Sequence, residues 1–323
     1  MQSEIIHILK QAQKFVSGEE ISNALGLSRT AIWKSVNDLR ERGYAITAVP
    51  RKGYFLEECP DTLYPWEIQE GLKARVFGRK VIHKDTVEST MDLASQYADQ
   101  GAEHGSVFCA ETQTRGRGRM GRQWVSPPGQ GIYASLLLRP EISLTESTKM
   151  VFLAGVALHE AVASVTGLDV HIKWPNDLLI GSKKLAGILT ELRAQSDRID
   201  RLIIGIGMNV NTPKKELFPQ ATSLSAEGGK KYFRVRLFQE FLFLCEQRYE
   251  QALKEGFEPA LSDWKKHCRL WGERVAVEMG QGVVEGIVSD LADDGGLIIQ
   301  LDDGRQQKIV TGDIARLRRE HGN

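Results

Sequence analysis

The chain has 323 residues, 41% of them hydrophobic, and its 42 basic and 42 acidic side chains cancel to a formal charge of zero. Such a length suits two or three units with one sizeable core, and the neutral total leaves any attraction to nucleic acid to local patches. Four scattered cysteines, Cys59, Cys109, Cys245 and Cys268, lack metal-ligand spacing and argue against a zinc site or a disulfide framework; no leader and no apolar run of ~18 residues is apparent, so a cytoplasmic protein without a membrane partner is expected.

Ile5, Ile6 and Leu9, then Ile21, Ala24 and Leu25, then Ile32, Val36 and Leu39 recur at helical spacing and predict three short helices. Ser17 with Glu20 is a capping-box signature before the second, Gly26 supplies a tight turn, and Ser28 can cap the third. Residues 44–49 and 53–56 read as two strands around an Arg51-Lys52-Gly53 turn, completing a winged helix-turn-helix over residues 1–62. In such a module Ser28, Arg29, Thr30, Trp33 and Lys34 would face the major groove while Arg51 and Lys52 approach the backbone from the wing. A protein-interaction module with a charged face would share this pattern. One module reads only a few base pairs, so DNA specificity would need a dimer on a two-part site.

Asp61 to Gly71 reads as a polar connection, with the main body of a middle unit, residues 63–269, beginning near Arg75. Strand-like runs fall at 106–110, 131–138, 185–192 and 202–208. Helices are predicted from Ser89 or Thr90 with Asp92 completing the cap, over 148–165 ended by Gly167, and over 235–253. Without a strict βαβ repeat, an α+β sheet is expected. From Trp271 the runs 274–278, 283–288, 297–301 and 306–310 alternate with the turns 280–282, 294–296 and 302–304. They predict a small β-barrel over 270–323 packed on the middle unit.

Residues 115–122, Arg-Gly-Arg-Gly-Arg-Met-Gly-Arg, precede Trp124 and the segment Lys173-Trp174-Pro175-Asn176-Asp177. Glycines let the backbone approach an anion, and each guanidinium offers a fixed fork of donors to phosphate or carboxylate oxygens. A solvated basic loop near nucleic acid is the other reading of these eight residues. No histidine forms a convincing triad with a serine, which argues against a hydrolase; His159, inside the long apolar helix, reads as a satisfied half-buried side chain.

A winged helix-turn-helix, Glu88-Ser89-Thr90, residues 113–119, Lys173 to Asp177, Lys184 to Glu191, Gly205 to Asn211 and a small β-barrel occur here in one order. This set resembles the bifunctional biotin protein ligase and biotin operon repressor family over essentially the whole chain. The resemblance implies an α+β multidomain fold: an N-terminal winged helix-turn-helix, a central mixed α/β ligase domain and a C-terminal SH3-like β-barrel. It implies that biotin and ATP form biotinyl-5'-AMP and that a carrier lysine then attacks the mixed anhydride.

By the same resemblance Ser89, Thr90, Gln113, Gly116, Arg117, Arg119, Lys184 and Gly187 hold biotin. Arg117, Arg119, Arg122, Trp124, Lys173, Asn176, Lys184 and Asn209 hold ATP and the adenylate, with Arg119 and Lys184 the catalytic pair. Magnesium would accompany ATP; no residue is assigned to it, and Asp177 is either a magnesium ligand or a turn residue. Arg316 and Arg318 are possible nucleotide contacts outside this set. Implied partners are the biotin carboxyl carrier protein of acetyl-CoA carboxylase and of other biotin-dependent carboxylases, operator DNA, and a second copy of the chain once the adenylate, acting as corepressor, is bound. The glycines and mutually repelling arginines predict a loop that is disordered until an anion folds it. A lipoate ligase and a sensor that binds an adenylate without transferring it are the rival classes.

Overall fold

The computed structural model describes residues 1–195, 198–280 and 282–316, with the side chains of residues 315 and 316 excepted. Contacts divide the chain into two compact units, Met1–Thr62 and Leu63–Asn323.

The first unit contains α1 (Gln2–Ala12), α2 (Gly18–Leu25), α3 (Arg29–Glu41), β1 (Ala45–Val49) and β2 (Gly53–Glu58). Ile5, Ile6, Leu9, Ile21, Ile32, Val36 and Leu39 form its buried core. Ala24 departs from expectation and is exposed, because an eight-residue helix buries one narrow edge and Ile21 with half-buried Leu25 occupies it. The capping box forms, with Glu20 N–H donating to Ser17 Oγ at 3.0 Å and Ser17 N–H to the Glu20 carboxylate at 2.7 Å. Ser28 Oγ accepts from Ala31 N–H at 3.2 Å. The β1–β2 ribbon closes onto Val16. Gly53 permits this: its φ is +103°, and a Cβ there would lie 2.0 Å from the Val16 carbonyl oxygen.

The second unit opens with α4 (Pro65–Gln69), where the sequence predicts only a polar connection. Leu63, Ile68 and Leu72 are buried, so chain entry is part of the core. Then follow β3 (Val81–Val87), α5 (Thr90–Asp99), β4 (Val107–Gln113), β5 (Gly131–Leu138), α6 (Leu144–Ser147), α7 (Met150–Thr166), β6 (Val170–Lys173), β7 (Asp177–Ile180), β8 (Lys183–Gln195), β9 (Arg198–Asn209), α8 (Leu224–Gly228), α9 (Arg234–Glu255) and α10 (Glu258–His267). The seven strands run in the order β3-β4-β5-β9-β8-β7-β6, with β3–β4 the parallel pair, a mixed sheet as expected. Leu136, Leu138, Ile204 and Ile206 face α7 and α9, whereas Leu137 and Ile203 face Met91 and Ala94 of α5. Both faces being covered explains why every residue of β5 is buried.

Strands β10 (Arg274–Met279), β11 (Gly282–Leu291), β12 (Leu297–Gln300), β13 (Gln306–Ile309) and β14 (Asp313–Arg316) form the small antiparallel barrel in the order β13-β12-β11-β10-β14. Of the expected turns, Gln281 lies outside the described residues. A second core joins Val275, Val277, Val288 and Ile299 to Phe152, Trp174 and Trp264. Trp174 Nε1 donates to the Gly295 carbonyl at 3.0 Å. Because this core is shared, residues 63–323 cohere as one compact unit. The stretch Leu144–Thr166 is long and apolar enough to cross a membrane, yet α7 buries 11 of its residues here. It is apolar all round because Leu153 and Ala157 pack into the first core and Phe152 and Val156 into the second.

His159 on α7 is 8% exposed, and its Nε2 donates to the Val170 carbonyl at 3.0 Å. Its ring stacks on His267 at 3.8 Å, and among the described residues its Nδ1 has no partner, so it is less satisfied than expected. Burial, then repulsion from His267, pushes its pKa down from 6.5 to about 4. The unfolded chain therefore binds the proton first: the full contribution is present above pH ~6.5 and is lost as pH falls toward 4. Between pH 7 and 5 the fold should lose about 2 kcal/mol through this side chain. Urea titrations at both pH values check this, the loss shrinking in a His159→Gln variant.

Candidate active site

A cleft of ≈ 390 Å³ gathers side chains from α5, β4, the arginine loop, the β6–β7 turn, β8, β9, the segment after β9 and the start of β14. Its polar wall is preset by hydrogen bonds. Gln113 Oε1 accepts from Thr90 N–H at 2.8 Å and Thr90 Oγ1 at 3.2 Å, and Gln113 Nε2 donates to Ser126 Oγ at 3.0 Å. Ser89 Oγ caps α5 through Met91 N–H at 3.2 Å. Asp92 does not complete that cap; it pairs with Arg117 at 2.9 Å, since the cationic loop lies close enough to take its carboxylate.

The arginine loop folds as an irregular hairpin. Trp124 N–H donates to the Gly116 carbonyl at 2.9 Å, and Gly118 N–H to the Arg122 carbonyl at 2.7 Å. A Cβ on Gly116 would lie 2.4 Å from the Trp124 carbonyl oxygen, so this crossing needs glycine. Repulsion among the four guanidiniums is offset by carboxylates from separate elements. Arg115 meets Glu88 at 2.7 Å, Arg117 meets Glu191 at 3.0 Å as well as Asp92, and Arg122 meets Asp313. Arg119 is 4.0 Å from Asp313 and donates to Asn176 Oδ1 at 3.4 Å. Burial lowers its pKa, opposed by Asp313 and Asp177.

Strand pairing sets Asp177 opposite Gly187, joining two motifs far apart in the chain. Lys184 Nζ then reaches Asp177 at 2.7 Å and lies 5.5 Å from the Trp124 ring centroid. A Cβ on Gly187 would be 3.2 Å from Lys184 Nζ, so this glycine leaves room for the ammonium. Gly207 does the same for Trp124, whose Cε2 would be 2.5 Å from an added Cβ. Asn176 Nδ2 donates to the Ile188 carbonyl at 2.6 Å, and Asn209 Nδ2 to the Thr222 carbonyl at 3.0 Å, so both amides hold backbone at the cleft.

Ser89, Thr90, Gln113, Arg117, Arg119, Arg122, Trp124, Asn176, Lys184, Gly187 and Asn209 thus share one cleft, whereas Gly116 and Lys173 do not line it. Lys173 ends β6 across from Asp177. Arg318 lies outside the described residues, as does the side chain of Arg316. Sequence patterns missed Asp313, Phe218 and Thr212. Phe218 lines the cleft while 64% exposed, and Thr212, 2% exposed, has an Oγ1 without a hydrogen-bond partner among the described residues. In the first unit Ser28, Arg29, Thr30, Trp33, Lys34, Arg51 and Lys52 are all exposed, with Trp33 at 59%. The Ser28 hydroxyl is committed to its helix cap, and Arg29 pairs with Glu19 at 3.0 Å.

Residues 2–55 match an HTH domain model, 84–209 the biotin/lipoate A/B protein ligase family, and 271–317 the biotin protein ligase C terminal domain. The chain is 40% identical to the bifunctional ligase/repressor BirA of Bacillus spizizenii across 97% of this chain and 98% of that protein. The chain belongs to the bifunctional biotin ligase/repressor family. The Escherichia coli member of this ligase/repressor family is 31% identical over 90% of this chain and 89% of its own length. Among solved structures, a biotin protein ligase from Aquifex aeolicus in complex with biotin and ATP superposes with a TM-score of 0.64. It is 28% identical and covers 74% of this chain and 99% of its own.

Proposed function

We infer that the protein is an ATP-dependent biotin ligase that forms biotinyl-5'-AMP and passes biotin to a lysine of a biotin carboxyl carrier protein. It also represses biotin synthesis or transport genes when loaded with that adenylate. The observation that carries the reading is the convergence of Arg119, Arg122 and Lys184 on one cleft that also gathers the neutral side chains of Ser89, Thr90 and Gln113.

Adenylation brings a carboxylate against a polyphosphate, so the barrier is repulsion between anions, and fixed cations lower it. Ser89, Thr90 and Gln113 supply neutral hydrogen bonds suited to the ureido ring of biotin. Lys184 lies between the biotin carboxylate and the α-phosphate, Arg117 and Arg119 flank them, and Arg122 closes over the adenylate. Trp124 covers the adenine face, while Asn176 and Asn209 fix the backbone beneath it. Gly116 and Gly187 act by leaving space. Magnesium neutralises part of the phosphate charge. In the ligand-free cleft the Asp177 carboxylate faces the Lys184 ammonium, Nζ lying 2.7 Å from Oδ1.

ATP–pyrophosphate exchange with purified protein tests the enzyme reading. Exchange is expected with biotin; exchange with lipoate would reassign the substrate, and binding of the adenylate without exchange would leave a sensor. Occupied loops that pair two copies would set two α3 helices on a two-part operator. In that complex Arg51→Ala and Lys52→Ala should each weaken binding across sequences and reduce the salt slope of operator affinity by about 1. Fluorescence titrations from low to moderate salt, with the adenylate present, measure it; unchanged slopes would remove the wing from the interface.

A further inference from the structure

Arg29 is the first residue of α3, where the unpaired N–H groups form the positive end of the helix dipole, and the first turn of α3 holds no acidic side chain. A cation there weakens the helix, which points to a use outside it. The backbone beneath Arg29 is nonetheless fixed. Ser28 caps α3, and the turn before it is closed by Leu27 N–H donating to the Ser22 carbonyl at 3.1 Å, by the Ser22 hydroxyl donating back to the Leu27 carbonyl, and by Gly26 at a φ of +65°. Across that turn Glu19 of α2 accepts from Arg29 Nη2 at 3.0 Å. Glu20 supplies the carboxylate of the α2 capping box, which leaves Glu19 to face α3. The Arg29 and Glu19 side chains are 72% and 67% exposed, so in water their pair stabilises the fold very little. A carboxylate on this face is also repelled by the phosphates of any DNA that approaches α3.

We propose that Glu19 is a positioning residue for operator reading: it holds the Arg29 guanidinium so that its remaining donors meet O6 and N7 of one guanine in each half-site. Arginine carries five N–H donors in a fixed plane, and one given to Glu19 leaves a parallel pair for the two guanine acceptors. Without that contact the side chain swings toward phosphates, which take a guanidinium on any sequence. Glu19 thus turns a general cation into a base reader. As α3 enters the groove, water leaves the pair and the lower dielectric strengthens it. The proposal rests on the operator reading of the first unit.

Duplexes selected from a randomised library by the full-length protein with biotinyl-5'-AMP supply the half-site, and fluorescence titration of its single-base variants measures the preference at each position. Arg29→Ala should lose about tenfold of the preference for guanine at one position, which identifies the base that Arg29 reads. Glu19→Gln should lose roughly threefold to tenfold at that position and no other, with the melting temperature close to wild type. Added to Arg29→Ala, it should change that preference no further. Arg29→Ala without a base-specific loss overturns the proposal, as does Glu19→Gln with the guanine preference intact, whether it binds every sequence better because the carboxylate only repels phosphate or worse because it only supports α2. A loss at a different position overturns it also, since Glu19 would then read a cytosine itself. Selection of no common sequence by the wild type would refute the operator reading on which the proposal rests.

Discussion

Replacing Lys184 with alanine should lower biotin-dependent ATP–pyrophosphate exchange on the order of 10²- to 10³-fold while leaving thermal unfolding nearly unchanged. The ammonium is the cleft's cation on β8, 2.7 Å from Asp177 and 38% exposed. Its removal does more than delete a positive charge: it uncovers the Asp177 carboxylate, which then repels the incoming phosphate. Both changes raise the barrier. Stability is little affected, because a half-exposed ion pair contributes about 0 to 1 kcal/mol. Lys183→Ala is the control, since adjacent strand residues point to opposite faces and Lys183 does not line the cleft. Arg119→Ala should fall in the same range. Undiminished exchange in both Lys184→Ala and Arg119→Ala would sink the electrostatic account.

The largest stability effect should come from a residue remote from the cleft. Glu246 on α9 is 6% exposed and accepts backbone N–H groups from Arg75, Val76 and Phe77 at 2.6, 2.7 and 2.6 Å. Three donors of an irregular segment are satisfied by one carboxylate, which pins the approach to β3 against the helical layer. Glu246→Ala leaves all three unpaired and should cost about 3 to 4 kcal/mol, near the upper end for a single substitution. Glu246→Gln keeps a neutral acceptor and should cost about half as much. Denaturant unfolding measures both. A loss below about 1 kcal/mol for Glu246→Ala would mean that water reaches those N–H groups and that the segment is held elsewhere.

Much of the architecture was legible because its signals are local. The capping box at Ser17 and Glu20, the left-handed Gly26 and Gly167, and the strand of residues 131–138 each declare themselves within a few positions. Some strands did not: β6, β7 and β14, of four residues each, were not read although β12 and β13 of the same length were, and β3 carries a half-polar sequence at the sheet edge. Asp92 was misread as a cap because a sequence cannot show that Arg117 lies 2.9 Å away. Ala24 was misread because helical spacing alone does not say which edge of an eight-residue helix meets the core.

By itself the sequence determined the chemical inventory: a cation-rich glycine loop, the lysine and asparagine motifs, a neutral hydrogen-bonding set, and a separate helical module with a basic turn. Spacing and glycine content carry that information, because they limit how closely a backbone can approach an anion or another strand. Tertiary structure alone decided which charges meet. The pairing of Asp177 with Gly187 sets Lys184 beside its carboxylate, Gly207 makes room for Trp124, and the closing strand brings Asp313 to Arg122 across 191 positions of chain. Electrostatic energy depends on distances of a few ångströms, and those distances exist only once the sheet, the barrel and their shared core have formed.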